Sequence, residues 1–237
     1  PALRAALPVL TPALAAVCKV PVDVEWLEDL AGASAVAALR PARAGPRRLR
    51  PAWIPDRTRL EGVVDGFHIL DRSGSLRTGW GAQEVVMALP RPLTVPVGAF
   101  FQGNRHLVAD LFELVARLAG SAPEAAWDLH GGVGLLAAAA AHANPERQLT
   151  VIEPHRRAAA AAHRNLPTAR VAGGVTAEAW LRRREPRPRA ALVVTDPPRA
   201  GLSTELRRRL AEWRPERLVT LACDPATWAR DASELSD

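Results

Sequence analysis

The chain is poor in cysteine, lysine and methionine. Only Cys18 and Cys223 occur, far apart. They make no metal-type spacing, so they argue for a reducing compartment and against a zinc or iron–sulfur site built by this chain. Lys19 is the single lysine, so nearly all positive charge is arginine. No stretch reaches the roughly 20 apolar residues a membrane span requires. The most apolar start, Ala2 to Val20, is broken by Pro8 and Pro12; a secretory leader is its alternative reading. No internal repeat is present, which sets repeat architectures aside. A cytoplasmic protein with no metal of its own and no membrane partner is the expectation.

The 237 residues, 48% of them hydrophobic, suit one large or two small domains with a core that needs no staples. The formal net charge of +6 favours an anionic partner. Arginines cluster at Arg40-Arg43-Arg47-Arg48-Arg50, at Arg182-Arg183-Arg184-Arg187-Arg189 and at Arg207-Arg208-Arg209. Guanidinium forks match phosphate oxygens, so each cluster reads either as a phosphate-binding surface or as a compositional habit.

Residues 1–95 read as a mixed region. Ala2 to Val17 is a weak helix interrupted by prolines, and Val22 to Leu27 alternates like a strand. Pro41 to Pro55 is a Pro- and Arg-rich loop. Phe67 to Leu70 and Leu76 to Gly79 flank a hairpin turn at Asp71–Ser75, and Val85 to Leu89 is a further strand. From about residue 100 strands and helices alternate: helix at Leu107–Leu118, strand at Ala125–Leu129, a tight glycine turn, helix at Leu135–His142, strand at Gln148–Ile152, helix at Arg156–Asn165. Strand at Ala190–Val194, helix at Thr204–Trp213 and strand at Leu218–Ala222 follow. That alternation predicts a parallel sheet with helices on both faces.

Chemistry-bearing residues sit where strands end, which is where such sheets keep their ligands. Asp128-Leu-His-Gly-Gly-Val-Gly134 follows a strand and opens a helix, so its backbone can approach a ligand closely. Glu153 ends the next strand and can accept both hydroxyls of a ribose. This pair fits a nicotinamide dehydrogenase as well as an S-adenosylmethionine enzyme. The acidic opening, and Ala137 in place of the last glycine of GxGxxG, favour the methyl donor. Asp196-Pro197-Pro198-Arg199-Ala200-Gly201-Leu202 ends another strand, and Cys223-Asp224-Pro225-Ala226-Thr227 ends the next. A thiol at such a rim is a candidate nucleophile. A dehydrogenase leaves both runs unexplained.

Phe100-Phe101-Gln102-Gly103-Asn104, the run from Asp196 to Leu202, and Cys223-Asp-Pro-Ala-Thr-Trp-Ala-Arg-Asp231 together resemble the RNA (uracil-5-)-methyltransferase family, which makes 5-methyluridine in tRNA or rRNA. The resemblance covers roughly residues 60–237. It implies an α/β fold: a Rossmann-like class I methyltransferase sheet, incomplete at the C-terminus, preceded by a smaller α+β region. Residues 1–95 would be a central, RNA-contacting region and residues 96–237 a truncated catalytic domain. The implied cofactor is S-adenosylmethionine, held by Gln102, His130, Glu153 and Asp196, with Asp196 serving the methionine end or the target uracil. Cys223 would be the catalytic nucleophile, adding to carbon 6 of a flipped or unpaired uracil. Arg199 and Arg230 are candidates for an electropositive rim that favours the thiolate.

The chain departs from the family pattern in several places. His130 replaces an aromatic and Gly131 a cysteine in the glycine turn. Asp224 replaces the asparagine after the nucleophile, adding negative charge beside the thiol. Gly173-Gly174 stands where a small polar residue is expected near the adenine. The family's N-terminal barrel, its iron–sulfur cysteines and the final His-Val-Glu strands, whose Glu removes the carbon-5 proton, are absent. With Pro1 at its start, the chain is expected to be a fragment holding the nucleophile but not the base. The sheet would then end on an unpaired edge. A non-catalytic RNA-binding remnant, or a methyltransferase for another pyrimidine, are the alternatives.

Overall fold

The computed structural model describes residues 2–122, 124–183 and 191–236. The chain divides into two units, Pro1–Ala88 with Thr94–His106, and Leu89–Leu93 with Leu107–Asp237.

The first unit opens with helix α1 (Ala2–Val17), followed by strands β1 (Val22–Glu28), β2 (Ala35–Pro41), β3 (Gly66–Leu70) and β4 (Leu76–Gly81). These form one sheet in sequence order, antiparallel except for the parallel β2–β3 pair. Strands β5 (Glu84–Met87) and β6 (Leu93–Pro96) make a separate two-stranded sheet. Helix α1 runs through Pro8 and Pro12, where an interruption was expected. Leu10 and Ala13 bury against Ala37, Leu39, Phe67 and Ile69, and this packing offsets a cost of about 3 kcal/mol for each interior proline. Strand β2 was not expected either. Its Ala-Val-Ala-Ala-Leu run does not alternate, because it is an inner strand of the sheet and its first five residues are all buried. The expected hairpin forms, and its turn is set by Asp71, whose carboxylate accepts the amides of Ser73 (2.8 Å) and Ser75 (3.0 Å).

The second unit is the alternating region. Helix α2 (Val108–Ala119) precedes β7 (Ala125–Asp128), α3 (Leu135–Ala143), β8 (Gln148–Glu153), α4 (Arg156–Asn165), β9 (Arg170–Gly173), α5 (Ala177–Arg182), β10 (Ala191–Thr195), α6 (Thr204–Trp213), β11 (Arg217–Thr220) and α7 (Pro225–Ser236). The sheet order is β11-β10-β7-β8-β9, with every pair parallel. The chain steps outward from β7 through β8 to β9, then returns to lay β10 on the other side of β7. The crevice between the C-terminal ends of β7 and β10 is therefore the topological switch point. Along the strands Trp127 and Val193 face one way. They pack with Trp180, Leu206, Leu210 and Trp213 from α5 and α6. The alternate residues Ala126, Asp128, Leu192 and Val194 are buried on the opposite face. There α3, whose residues Leu135 to Ala141 are all buried, packs between the sheet and α2. Strand β9 and helix α5 escaped the sequence reading, being four and six residues long and below the length at which periodicity is readable.

A buried arginine closes two helix ends. Arg147, 5% exposed, donates to the carbonyls of Ala140 (2.6 Å) and Gly120 (2.7 Å), just past the end of α2. Replacing it leaves carbonyls buried without donors. Arg147→Met should cost about 2–3 kcal/mol, read by urea unfolding. A loss below about 0.5 kcal/mol, the scale of an ordinary surface change, would contradict this assignment.

Candidate active site

Four of the five sequence-predicted site residues stand at the C-terminal rim of the parallel sheet. His130 follows β7, Glu153 ends β8, Asp196 follows β10 and Cys223 follows β11. The fifth, Gln102, is carried by the first unit, in the irregular segment between β6 and α2.

The glycine turn after β7 is held by backbone geometry. The Gly131 amide donates to the Ile152 carbonyl at 3.0 Å, and a Cβ at Gly131 would stand 2.2 Å from Cγ1 of Val151. Only glycine lets the turn lie this close to β8. Gly132, at φ +53°, has open space where a side chain would be. Its amide donates to Glu153 Oε2 at 2.9 Å, and Glu153 Oε1 accepts the His155 amide at 2.6 Å. The carboxylate that ends β8 thus fixes the turn that ends β7. Two amides leave lone pairs on it for further donors.

His130 bridges the switch point. Its Nδ1 lies 2.7 Å from Oγ1 of Thr195, the fully buried last residue of β10. Burial lowers the pKa of the imidazole, with Glu178 and Asp196 pulling the other way, so the ring is neutral at pH 7. Asp128 is a carboxylate turned into the core, 1% exposed. Its Oδ2 accepts the Ala137 amide at 3.1 Å, and its Oδ1 is buried with no hydrogen bond. Burial raises this carboxyl to about 7, the Ala137 amide opposes the rise, and Glu153 and Asp196 add to it.

The two motifs at β10 and β11 form one piece of structure. Gly201, at φ +76°, presses against α7: a Cβ there would lie 2.3 Å from Cγ2 of Thr227 and 2.4 Å from Oδ2 of Asp231. Asp231, 3% exposed, accepts the Leu202 amide at 2.7 Å through Oδ2. Through Oδ1 it accepts Nη1 of Arg207 at 3.1 Å and Nη2 of Arg230 at 2.6 Å. Arg207, 7% exposed, also donates to the Leu202 carbonyl and, through Nε, to Glu234 at 2.7 Å. Arg230 donates to the Ala200 carbonyl at 2.9 Å. This clamp seats the Pro197–Leu202 loop on α7, and Pro197, Arg199, Cys223 and Asp224 line one small cavity beside it.

Cys223 is exposed and lies just before α7. Asp224 caps that helix, its Oδ1 accepting the Thr227 amide at 2.8 Å. That amide holds the carboxyl below its usual range. Aspartate and asparagine cap equally well, which explains why Asp224 can stand where the family has an amide. Of the two arginines expected to make the rim electropositive, Arg230 is engaged by Asp231 and Ala200, whereas Arg199 is exposed beside Cys223. Arg207 and Thr195 were missed by sequence reasoning. Arg207 was hidden within a run of three arginines, and Thr195 carries no signal apart from its place before Asp196. Among the described residues there is no group of three His, Cys, Asp or Glu side chains fit to hold a metal ion, and no helix is long and apolar enough to cross a membrane.

The family model described as "Methyltransferase small domain" matches residues 106–218. An uncharacterized RNA methyltransferase of Nitratidesulfovibrio vulgaris is 39% identical over 151 residues, covering 57% of this chain and 31% of that protein. The 23S rRNA (uracil(747)-C(5))-methyltransferase RlmC of Vibrio cholerae is 30% identical over 154 residues, covering 61% of this chain and 39% of that protein. Among solved structures, the Pyrococcus abyssi tRNA (uracil-54, C5)-methyltransferase in complex with S-adenosyl-L-homocysteine superposes with a TM-score of 0.69 at 20% identity. That match covers 98% of this chain and 60% of the other. The chain therefore spans well under half the length of these curated relatives. The Rossmann-like methyltransferase fold read from the sequence is the fold observed, and the motif resemblance is matched by relatives named RNA methyltransferases.

Two measurements test this geometry. Asp231→Ala leaves the Arg207 guanidinium buried without its carboxylate and the Leu202 amide without an acceptor. Urea unfolding should show a loss of about 3–5 kcal/mol, and a loss under 1 kcal/mol would mean that the clamp carries no strain-bearing contact. Asp128 has a raised native pKa, so the folded state binds a proton that the unfolded state has released between about pH 4 and pH 7. Stability of the ligand-free chain should fall as pH rises through that window. Asp128→Asn should remove this part of the slope, and parallel profiles for the two proteins would refute the assignment.

Proposed function

We propose that this chain carries the catalytic region of an S-adenosylmethionine-dependent RNA methyltransferase. It transfers the methyl group to carbon 5 of a uridine in tRNA or rRNA through a covalent bond between Cys223 and the base. The reading places it in the cytoplasm, with residues 1–95 as an RNA-contacting region and residues 96–237 as the catalytic domain. The observation that carries it is the convergence of the Pro197–Gly201 loop and the Cys223–Asp231 segment on one cavity, at the C-terminal ends of β10 and β11.

The rim suits the methyl donor. The glycine turn leaves open space at Gly132, and Glu153 keeps lone pairs free for the two ribose hydroxyls. The neutral ring of His130 would pack beside the donor, and Asp196 would hold its methionine end or the target base. When bound, S-adenosylmethionine supplies an electrophilic methyl group on a positively charged sulfur. The part played by this chain is nucleophilic. The Cys223 thiolate adds to carbon 6 of the uracil, and the electron pair displaced from the ring double bond makes carbon 5 able to take the methyl group. The carbon-5 proton then leaves to a base, and its electron pair re-forms the double bond as the Cys223 sulfur departs.

Incubation with S-adenosylmethionine and RNA containing 5-fluorouridine should trap the complex, because fluorine at carbon 5 cannot leave as a proton. Denaturing mass spectrometry should find a methylated RNA adduct on Cys223. It should require the donor and be absent in Cys223→Ala. A chain that binds both donor and RNA yet forms no adduct would overturn the covalent mechanism and favour a non-catalytic RNA-binding role.

A further inference from the structure

The three arginine clusters look alike in the sequence and differ in the structure. In the cluster on α6, Arg207 is committed to Asp231 and Glu234, while Arg208 and Arg209 both pair with Glu212. Arg182, from the second cluster, pairs with Glu205 at 3.1 Å; positions 184–190 lie outside the described residues. Arg40, at the edge of the first cluster, pairs with Glu25.

The loop that follows β2 is different. Arg43, Arg47, Arg48, Arg50 and Arg57 are all exposed, and none forms an ion pair with any described residue. The only acid in residues 42–59 is Asp56. Its carboxylate is occupied by the amide and hydroxyl of Thr58. A further guanidinium reaches in from the β3–β4 turn, where exposed Arg72 donates to the Gly45 carbonyl at 3.2 Å.

This loop is anchored. Leu49, Trp53 and Ile54 pack on the core of the first unit, Leu60 is fully buried, and Trp80 donates from its indole to the Pro55 carbonyl at 3.2 Å. Two short 3-10 turns, Pro51–Trp53 and Arg57–Arg59, shape it further. The apolar residues point in and the arginines point out. Arg50 is held over the Trp53 ring at 6.0 Å. No large hydrophobic side chain is exposed between residues 42 and 59, so the surface offers an apolar partner or a lipid core nothing to hold. It offers a polyanion a set of guanidinium forks carried on an anchored loop.

We propose that the loop of residues 43–57, joined by Arg72, is a docking surface for the phosphate backbone of the substrate RNA. This rests on the RNA methyltransferase reading above. The contacts are to phosphate, so they set affinity and position and carry no base specificity.

The test is fluorescence anisotropy with a labelled 30-nucleotide stem-loop RNA, titrated between 50 and 300 mM KCl. For the native chain, log K should fall linearly with log salt as counterions are released. Arg47→Gln/Arg48→Gln/Arg50→Gln should lower that slope by about 2 to 3 and weaken binding roughly tenfold or more at 100 mM salt. Arg47→Lys/Arg48→Lys/Arg50→Lys keeps the charge and should keep the slope. Arg208→Gln/Arg209→Gln, on the internally paired helix, should leave the slope unchanged. Donor binding by calorimetry, unaltered in each variant, shows that the fold is intact. If the native chain binds RNA and the glutamine variant matches its slope, this surface is wrong and the function stands. If the native chain binds the donor but no RNA, both readings fall. If the slope drops as expected but no Cys223 adduct forms, the surface stands and the catalytic reading falls.

Discussion

The second unit depends on a sheet of short parallel strands covered on both faces by helices. Such a sheet buries the side chains on both of its faces, so polar groups have one place to go, the rim where the strands end. Glu153, His130, Thr195 and Cys223 all obey this rule, and the first three are tied across the strand order. Glu153 holds the glycine turn of β7, and His130 meets Thr195 across the switch point. Asp128 alone points back under the rim, and burial holds its carboxyl near neutrality. A site of this kind is assembled by strand order. No pair of these residues is adjacent in the chain.

The same economy governs the arginines. Arg147 and Arg217 donate to carbonyls at the end of α2, and Arg207 with Arg230 clamps the loop after β10 to α7. These guanidinium groups act as multi-donor struts, a task for which lysine's point charge is less suited. Five exposed arginines that pair with no acid among the described residues, Arg43, Arg47, Arg48, Arg50 and Arg57, share one anchored loop of the first unit. An arginine-rich composition therefore carries two separate physical roles, and the neighbours of each side chain decide which one it plays.

Much of this was legible in the residue string. Helices α4 and α6 begin and end where their periodicity says, and the strand–turn–helix at Asp128–Gly134 lies where its glycines require. The misses share a cause. Helix α1 survives its prolines, and β2 forms from alanines, because each is buried against other parts of the first unit. Strand β9 and helix α5 are too short to display a period. Tertiary burial in the one case and brevity in the other are properties that local propensity does not record.

The sequence by itself determined the alternation of strands and helices, the glycine turn, and the two motifs that bring a carboxylate and a thiol to strand ends. Periodicity, backbone freedom and residue type act over a few residues and are readable there. Only the tertiary structure decided that the run from Asp196 to Leu202 and the segment from Cys223 to Asp231 are one clamp, that Asp224 is a helix cap, and which arginines are spent and which are free. Hydrogen bonds and ion pairs depend on distance through space, and Leu202 and Asp231, which meet in the clamp, are separated along the chain by helix α6 and strand β11.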